Sequence, residues 1–217
     1  MRRFVITLGF DEKFANRCLL RRGLGKGDEV YLILNKDPDA RVIKASSQVE
    51  RIVMDAQAEL KKIFIDPMNV YQSIESLVKI FNTYSQIIIN LSGGMRILLI
   101  YTVLSFLMSE GWRKEVEVKV EIDTEDMRNT VEIPVELLTN LAFLQLSERS
   151  IELLQAIKDE SRSLWEISQK IGLDESVISR HMEQLETRKF IEGVIIKRKK
   201  HIKLTSLGKL YLATLQK

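Results

Sequence analysis

An open, mainly parallel α/β sheet, followed by a linker helix and a winged helix-turn-helix, is the architecture this 217-residue sequence predicts. Three observations carry it. Short apolar, β-branched runs alternate with helical stretches as far as Ile133, the pattern of parallel strands covered on both faces. A segment of period 2 closes that region as a terminal antiparallel hairpin. From Ser147 onward the pattern changes to three short helices and a second hairpin. The expected boundaries are 1–133 for a Rossmann-like domain, 134–146 for a linker and dimerisation helix, and 147–217 for the winged helix-turn-helix. Two domains suit the length, since domain sizes cluster at about 100 to 150 residues.

Phe4 to Leu8 is an apolar run that stops at Gly9, as a buried strand entering a tight turn does. Asp11 can cap a helix to about Arg22. Glu29 to Leu34 reads as a second strand and Lys44 to about Gln57 as a helix. Lys62 to Ile65 reads as a third strand, and Asn69 can cap a helix carrying Val70, Ile74, Leu77, Val78 and Phe81. Gln86 to Leu91 is a fourth strand, followed by a helix from Met95 to about Glu110. Glu115 to Ile122 alternates Val116, Val118, Val120 and Ile122 with charged neighbours, then Asp123 to Asn129 turns into Thr130 to Ile133, so one wet face is expected. Pro134 suits a first helical position. The apolar excess of Val135, Leu137, Leu138, Leu141, Ala142 and Leu144 exceeds one core-facing stripe and points to subunit contact.

Composition excludes several classes. Hydrophobic residues at 45% and charged ones at 29%, with 3 Pro and 10 Gly, describe a chain that folds throughout. Cys18 is the lone cysteine, which rules out an internal disulfide, suits a reducing cytosol and reads as helix packing. The apolar stretch after Arg3 is too short for a signal peptide, and the run Ile97 to Met108 falls below the roughly 18 residues of a membrane span. A cytoplasmic protein with no membrane role is expected. The net charge of +3 divides unevenly: from Ser147 onward 14 basic residues face 10 acidic ones, and residues 193 to 217 hold 7 basic and no acidic residues. Such a surplus calls for a polyanion at that end.

In that half, Ile151, Leu154 and Ile157 mark a first helix. Ser163 can cap a second with Leu164, Ile167 and Ile171 inward, and Gly172-Leu173 forms the turn. Asp174 can cap a third, with Val177, Ile178, Met182 and Leu185 inward. Ser176, Ser179, Arg180, Glu183 and Gln184 then point outward, and all but the glutamate suit contact with base edges in a major groove. Arg180 is the first choice for a base contact. Lys197 ends the hairpin's first strand, and Arg198, Lys199 and Lys200 form its basic tip, suited to phosphates. The stretch WEISQKIGLDESVISRHMEQLETRKFIE resembles the winged helix-turn-helix domains of small bacterial and archaeal repressors and activators, which implies double-stranded DNA as partner.

Two loops in the first half lie at carboxyl ends of strands, where open sheets bind ligands: Thr7-Leu8-Gly9-Phe10-Asp11 and Asn90-Leu91-Ser92-Gly93-Gly94-Met95-Arg96. Glycines before a helix let backbone N–H groups approach a phosphate, and Arg96 adds a fixed positive charge. Gly23 to Gly27 leads into a strand and lacks P-loop spacing, and no GxGxxG follows the first strand, so neither ATP nor NAD is expected. With NLSGGMRILL after the fourth strand and TLGFDEKF after the first, the whole chain resembles the CRISPR-associated Rossmann-fold regulators. That resemblance implies a homodimer with a two-fold symmetric operator, in which the sensor domains bind a cyclic oligoadenylate, usually cyclic tetra-adenylate, across their two-fold axis. Carried onto this chain, the cradle is Leu8, Gly9, Phe10 and Asp11 with Asn90, Ser92, Gly93, Gly94, Met95 and Arg96.

No cofactor or metal is expected, since both histidines, His181 and His201, fall in the DNA-binding half. Neither loop supplies an obvious general base. A binder that regulates transcription is the reading, with a ring nuclease acting in the same cleft as the alternative.

Overall fold

The computed structural model describes residues 1–81, 86–109, 116–141, 146–158, 162–196 and 199–215. Lys197, Arg198, Glu110, Glu115, Ala142 and Leu144 of the sequence reading lie outside the described residues. The chain divides into two compact units, Met1–Thr139 and Asn140–Lys217.

The first unit is a six-stranded sheet of β1 (Arg2–Thr7), β2 (Glu29–Asn35), β3 (Glu59–Ile65), β4 (Gln86–Asn90), β5 (Glu117–Asp123) and β6 (Thr130–Ile133) in the order β3-β2-β1-β4-β5-β6. The first five strands run parallel and β6 returns antiparallel to β5. Phe4, Val5, Ile6, Leu32, Ile33, Ile88 and Ile89 are all buried, so the central strands are covered on both faces. Helices α1 (Lys13–Arg21) and α2 (Ala40–Asp55) enclose one apolar core with Phe4, Ile6 and Leu32. Helices α3 (Val70–Val78) and α4 (Arg96–Met108) enclose the other with Val5, Ile33, Phe81 and Phe106. Cys18 packs in the first core, where burial pushes its thiol well above the usual value.

Some boundaries differ from expectation for local reasons. Helix α2 starts at Ala40 rather than Lys44, because the Asp39 side chain accepts from the Arg41 N–H at 2.7 Å and caps it. Strand β3 starts at Glu59 rather than Lys62, because it pairs along the whole of β2 from Glu29. Asn69 caps α3 as expected, accepting from Gln72 N–H. After Pro134, α5 (Val135–Leu141) packs Val135 and Leu138 on the second core.

The second unit comprises α6 (Glu148–Ala156), α7 (Leu164–Ile171), α8 (Glu175–Thr187), the hairpin β7 (Ile191–Ile196) and β8 (Lys199–Leu204), and α9 (Ser206–Thr214). It is a winged helix-turn-helix. Ser163 and Glu166 cap α7 reciprocally, and Gly172 at φ 72° ends it in the left-handed conformation that glycine tolerates best. Leu154, Ile157, Ile167, Ile178, Leu185 and Phe190 fill one core.

Two expectations are corrected here. Val177 is 48% exposed, because the buried stripe of α8 is Ile178, Met182 and Leu185, and position 177 lies about 100° round the helix from 178. Lys199 and Lys200 are strand residues of β8, paired with Ile196 and Ile195, so they flank the hairpin tip rather than form it.

Candidate functional site

The chain leaves β1 to build β2 and β3 on one side, then crosses to build β4 and β5 on the other. The carboxyl ends of β1 and β4 therefore flank the point where strand order reverses, which is where such sheets leave a crevice. The loops following these two strands meet there, backbone against backbone. A Cβ on Gly9 would lie 2.8 Å from the Gly94 nitrogen, and one on Gly93 would lie 2.9 Å from the Thr7 oxygen. Gly94 also holds φ at +92°. These glycines are needed for loop-on-loop packing before any ligand arrives, so a valine at position 94 would strain the loop itself.

A cleft of about 400 Å³ opens beside this contact. Leu8, Gly9, Phe10, Asp11, Ser92, Gly93, Gly94 and Met95 line it, as the sequence reading expected of them. Asn90 and Arg96 do not. Asn90 is buried beneath the loop, where its amide donates to Glu121 at 3.2 Å and Asp123 at 3.3 Å while its oxygen accepts from Ser92 N–H. Arg96 opens α4 on the exposed side and makes no ion pair among the described residues.

The sequence reading missed Phe14, Asn35, Asp37, Pro38, Asp39 and Val42, which also line the cleft. Starting α2 at Lys44 hid the β2 loop; the capping aspartate just before Ala40 was the available signal. Asp11, Asp37 and Asp39 make this wall acidic, and among the described residues no Lys or Arg lines the cleft. Phe10 is 59% exposed, with the Arg41 guanidinium 4.0 Å from its ring centroid. Hydrogen bonds from Arg41 hold the Asp39 carboxyl below its ordinary value. At α4 the Leu98 N–H is taken by the Met95 carbonyl at 2.9 Å and Met95 gives no side-chain cap, so the N–H groups of Arg96 and Ile97 are the ones that can receive an anion.

Below the loops lies a second feature absent from the sequence reading. Glu121, expected on the wet face of β5, and Asp123, expected in the turn after it, are buried because the end of α1 lays Arg21 and Arg22 over them. Glu121 meets Arg21 at 2.7 Å and Arg22 at 2.8 Å. Asp123 accepts from Thr130 at 2.6 Å and from the Ser92 hydroxyl at 3.1 Å, while its own N–H donates to that hydroxyl at 2.8 Å. Ser92 thus pins the β4 loop to β5.

In the second unit Ser176, Ser179, Arg180, Glu183 and Gln184 are all exposed on α8, and Val177 joins their side of the helix. Among the described residues no group of three or more His, Cys, Asp or Glu is placed to hold a metal, and no helix is long and apolar enough to cross a membrane.

Residues 2–134 match the model of the Csa3 CRISPR-associated Rossmann-like domain. No curated protein matches the chain. Among solved structures, Can2 from Sulfobacillus thermosulfidooxidans, in complex with cyclic tetra-adenylate, is 10% identical over 99% of this chain and 63% of its own, with a TM-score of 0.45. BpsR from Bordetella bronchiseptica, whose DNA binding is regulated by 6-hydroxynicotinic acid, is 19% identical over 38% of this chain and 62% of its own, with a TM-score of 0.32. HlyU from Vibrio cholerae N16961 is 23% identical over 37% of this chain and 85% of its own, with a TM-score of 0.31. The chain thus spans less than two thirds of the length of both Can2 and BpsR.

The buried carboxylates predict an acid limit. Burial alone would raise both, but hydrogen bonds from Cys18, Arg22, Arg21 and Asn90 hold Glu121 below the ordinary range, and those from Thr130, Arg21 and Asn90 do so for Asp123. A depressed carboxylate stabilises the fold above its unfolded value, near 4, and that stability is lost as pH falls through the folded value. Thermal unfolding followed by circular dichroism should therefore be level above about pH 5 and drop steeply below about pH 4. Glu121→Gln should cost about 1.5 to 3 kcal/mol at neutral pH, since it removes the charge that Arg21 and Arg22 share and leaves them with Asp123 and Glu132, and should flatten the acid slope.

Proposed function

Because this chain belongs to the family of the Csa3 CRISPR-associated Rossmann-like domain, we propose that it is a transcriptional regulator. In this reading a cyclic oligoadenylate, most simply cyclic tetra-adenylate, sets its binding to double-stranded DNA. The observation that carries it is the convergence of the β1 and β4 loops on one cleft at the point of strand-order reversal. The cleft's two sides fit the two halves of a nucleotide. The start of α4 offers unpartnered backbone N–H groups to a phosphate. Opposite, exposed Phe10 offers a ring for stacking a base, and the Asp37 and Asp39 carboxylates can accept from an exocyclic amine. Binding without turnover is the activity assigned to this site.

The ligand cradle comprises the lining residues Leu8 to Asp11 and Ser92 to Met95, with Asn90 positioning the loop and Arg96 supplying charge. Residues 134–146 serve as the connector between sensor and winged helix in a homodimer. On DNA, Arg180 with Ser176, Ser179 and Gln184 reads base edges on a two-fold symmetric operator. Lys197, Arg198, Lys199 and Lys200 contact phosphates.

Calorimetry with cyclic tetra-adenylate tests the cleft: Arg96→Ala removes a charge-assisted contact worth about 1.5 to 3 kcal/mol, a loss of roughly 10- to 150-fold in affinity. Unchanged affinity would remove Arg96 from the site. For DNA, gel shifts over a salt series should show Arg180→Ala relaxing base preference. Lys199→Ala or Lys200→Ala should weaken all sequences alike and lower the salt slope by about one phosphate each. The reverse pattern would exchange the roles of α8 and the hairpin.

A further inference from the structure

Beside the cleft stands a cation that does not line it. Arg41, the second residue of α2, lays its guanidinium 4.0 Å from the centroid of the Phe10 ring. The same guanidinium donates to the Asp39 carboxylate from Nε and from one terminal nitrogen, both at 3.2 Å. Phe10 and Asp39 both line the cleft. A planar group thus rests on an aromatic ring and directs N–H donors from its edge into a carboxylate. A base carrying an exocyclic amine would do the same in stacking on Phe10. Arg41 imitates such a base.

Little holds the guanidinium in this position. The Arg41 side chain is 66% exposed and that of Asp39 46%, and an ion pair open to water contributes little and exchanges partners readily. The helix does not depend on it either, because the α2 cap uses the backbone N–H of Arg41, which donates to Asp39 at 2.7 Å whatever side chain follows. Charge gives the displaced group a second use. Among the described residues Asp11, Asp37 and Asp39 line the cleft without a Lys or Arg, a wall that receives an amine and repels a phosphate. Once a base takes Asp39, the guanidinium needs another anion, and a phosphate is the anion that arrives with the base.

We propose that Arg41 occupies the base position of the cleft in the free protein, and that an entering nucleotide displaces it from Phe10 and Asp39 and takes its guanidinium as the partner of a phosphate. This rests on the nucleotide reading above and gives Arg41 two opposed effects, competition with the base and attraction of the phosphate.

Calorimetry of the full chain and its Arg41→Ala variant with two probes separates these effects. Adenosine carries the base and no phosphate, so loss of the competitor should raise its affinity at least about threefold, reflecting the fraction of molecules in which the position was filled. Cyclic tetra-adenylate should instead bind at least about tenfold more weakly, since a charge-assisted contact is removed. Arg41→Lys keeps the charge without the planar fork, so it should recover most of that loss while binding adenosine as tightly as Arg41→Ala does. Circular dichroism of both variants should match the unaltered chain. A merely structural role would move both probes in the same direction. Adenosine binding that is unchanged, weaker or undetected up to millimolar concentration in Arg41→Ala would overturn the competition, and unchanged cyclic tetra-adenylate binding would overturn the phosphate contact. No uptake of cyclic tetra-adenylate by the unaltered chain would defeat the nucleotide reading and the phosphate contact together, with the base position still decided by adenosine.

Discussion

Two strand-end loops can share one cleft only if their backbones come into contact, and here that contact is made at Gly9 and Gly94. Strand order brings the loops side by side, but side chains would hold them apart. With hydrogen in place of Cβ, the turn after β1 lies against the turn before α4 and leaves open the crevice that Phe10, Met95 and the β2 loop complete. The contact has to be held from below, because a glycine-rich loop has little side-chain packing of its own. Ser92 does this by exchanging two hydrogen bonds with Asp123, and Asn90 by accepting the Ser92 N–H.

That anchorage places two carboxylates, Glu121 and Asp123, inside the protein. Charges removed from water are costly unless paired, and α1 supplies the pairing with Arg21 and Arg22. Helix α1 is also the continuation of the β1 loop, so the same short helix extends one wall of the cleft and neutralises the support of the other. The loops, the helix and the β5–β6 hairpin form one interlocked unit. Chain leaving that unit at Pro134 enters α5, which packs Val135 and Leu138 on the second core.

Much of this was legible in the sequence, for reasons that differ by element. Uniform apolar runs such as Phe4 to Leu8 and Gln86 to Leu91 signal strands buried on both faces, and they are found so. The capping residues Asn69 and Ser163 marked helix starts correctly, because a cap is a local interaction written in local sequence. Non-local effects were not legible. Glu121 alternates like a residue of a wet strand face and Asp123 reads as the start of a polar turn, and only the arrival of α1 from a hundred residues earlier buries them. The β2 wall of the cleft, with Asp37 and Asp39, was lost with the misplaced start of α2. The glycines were read for their approach to a phosphate, whereas their first task is to admit each other. Val177 was expected inward because an apolar residue beside Ile178 reads as core, and a helix turns about 100° between them.

A cleft that governs DNA binding must share free energy with α8, which belongs to the other unit. The most direct measurement is the affinity of the full chain for an operator duplex and for a random duplex, at one fixed salt concentration, with and without saturating cyclic tetra-adenylate. Coupling of about 1 to 3 kcal/mol predicts that operator affinity changes roughly 5- to 150-fold, and that operator DNA changes nucleotide affinity by the same factor. Equal operator affinities in the two conditions would contradict a ligand-responsive regulator and leave two functional units joined but uncoupled.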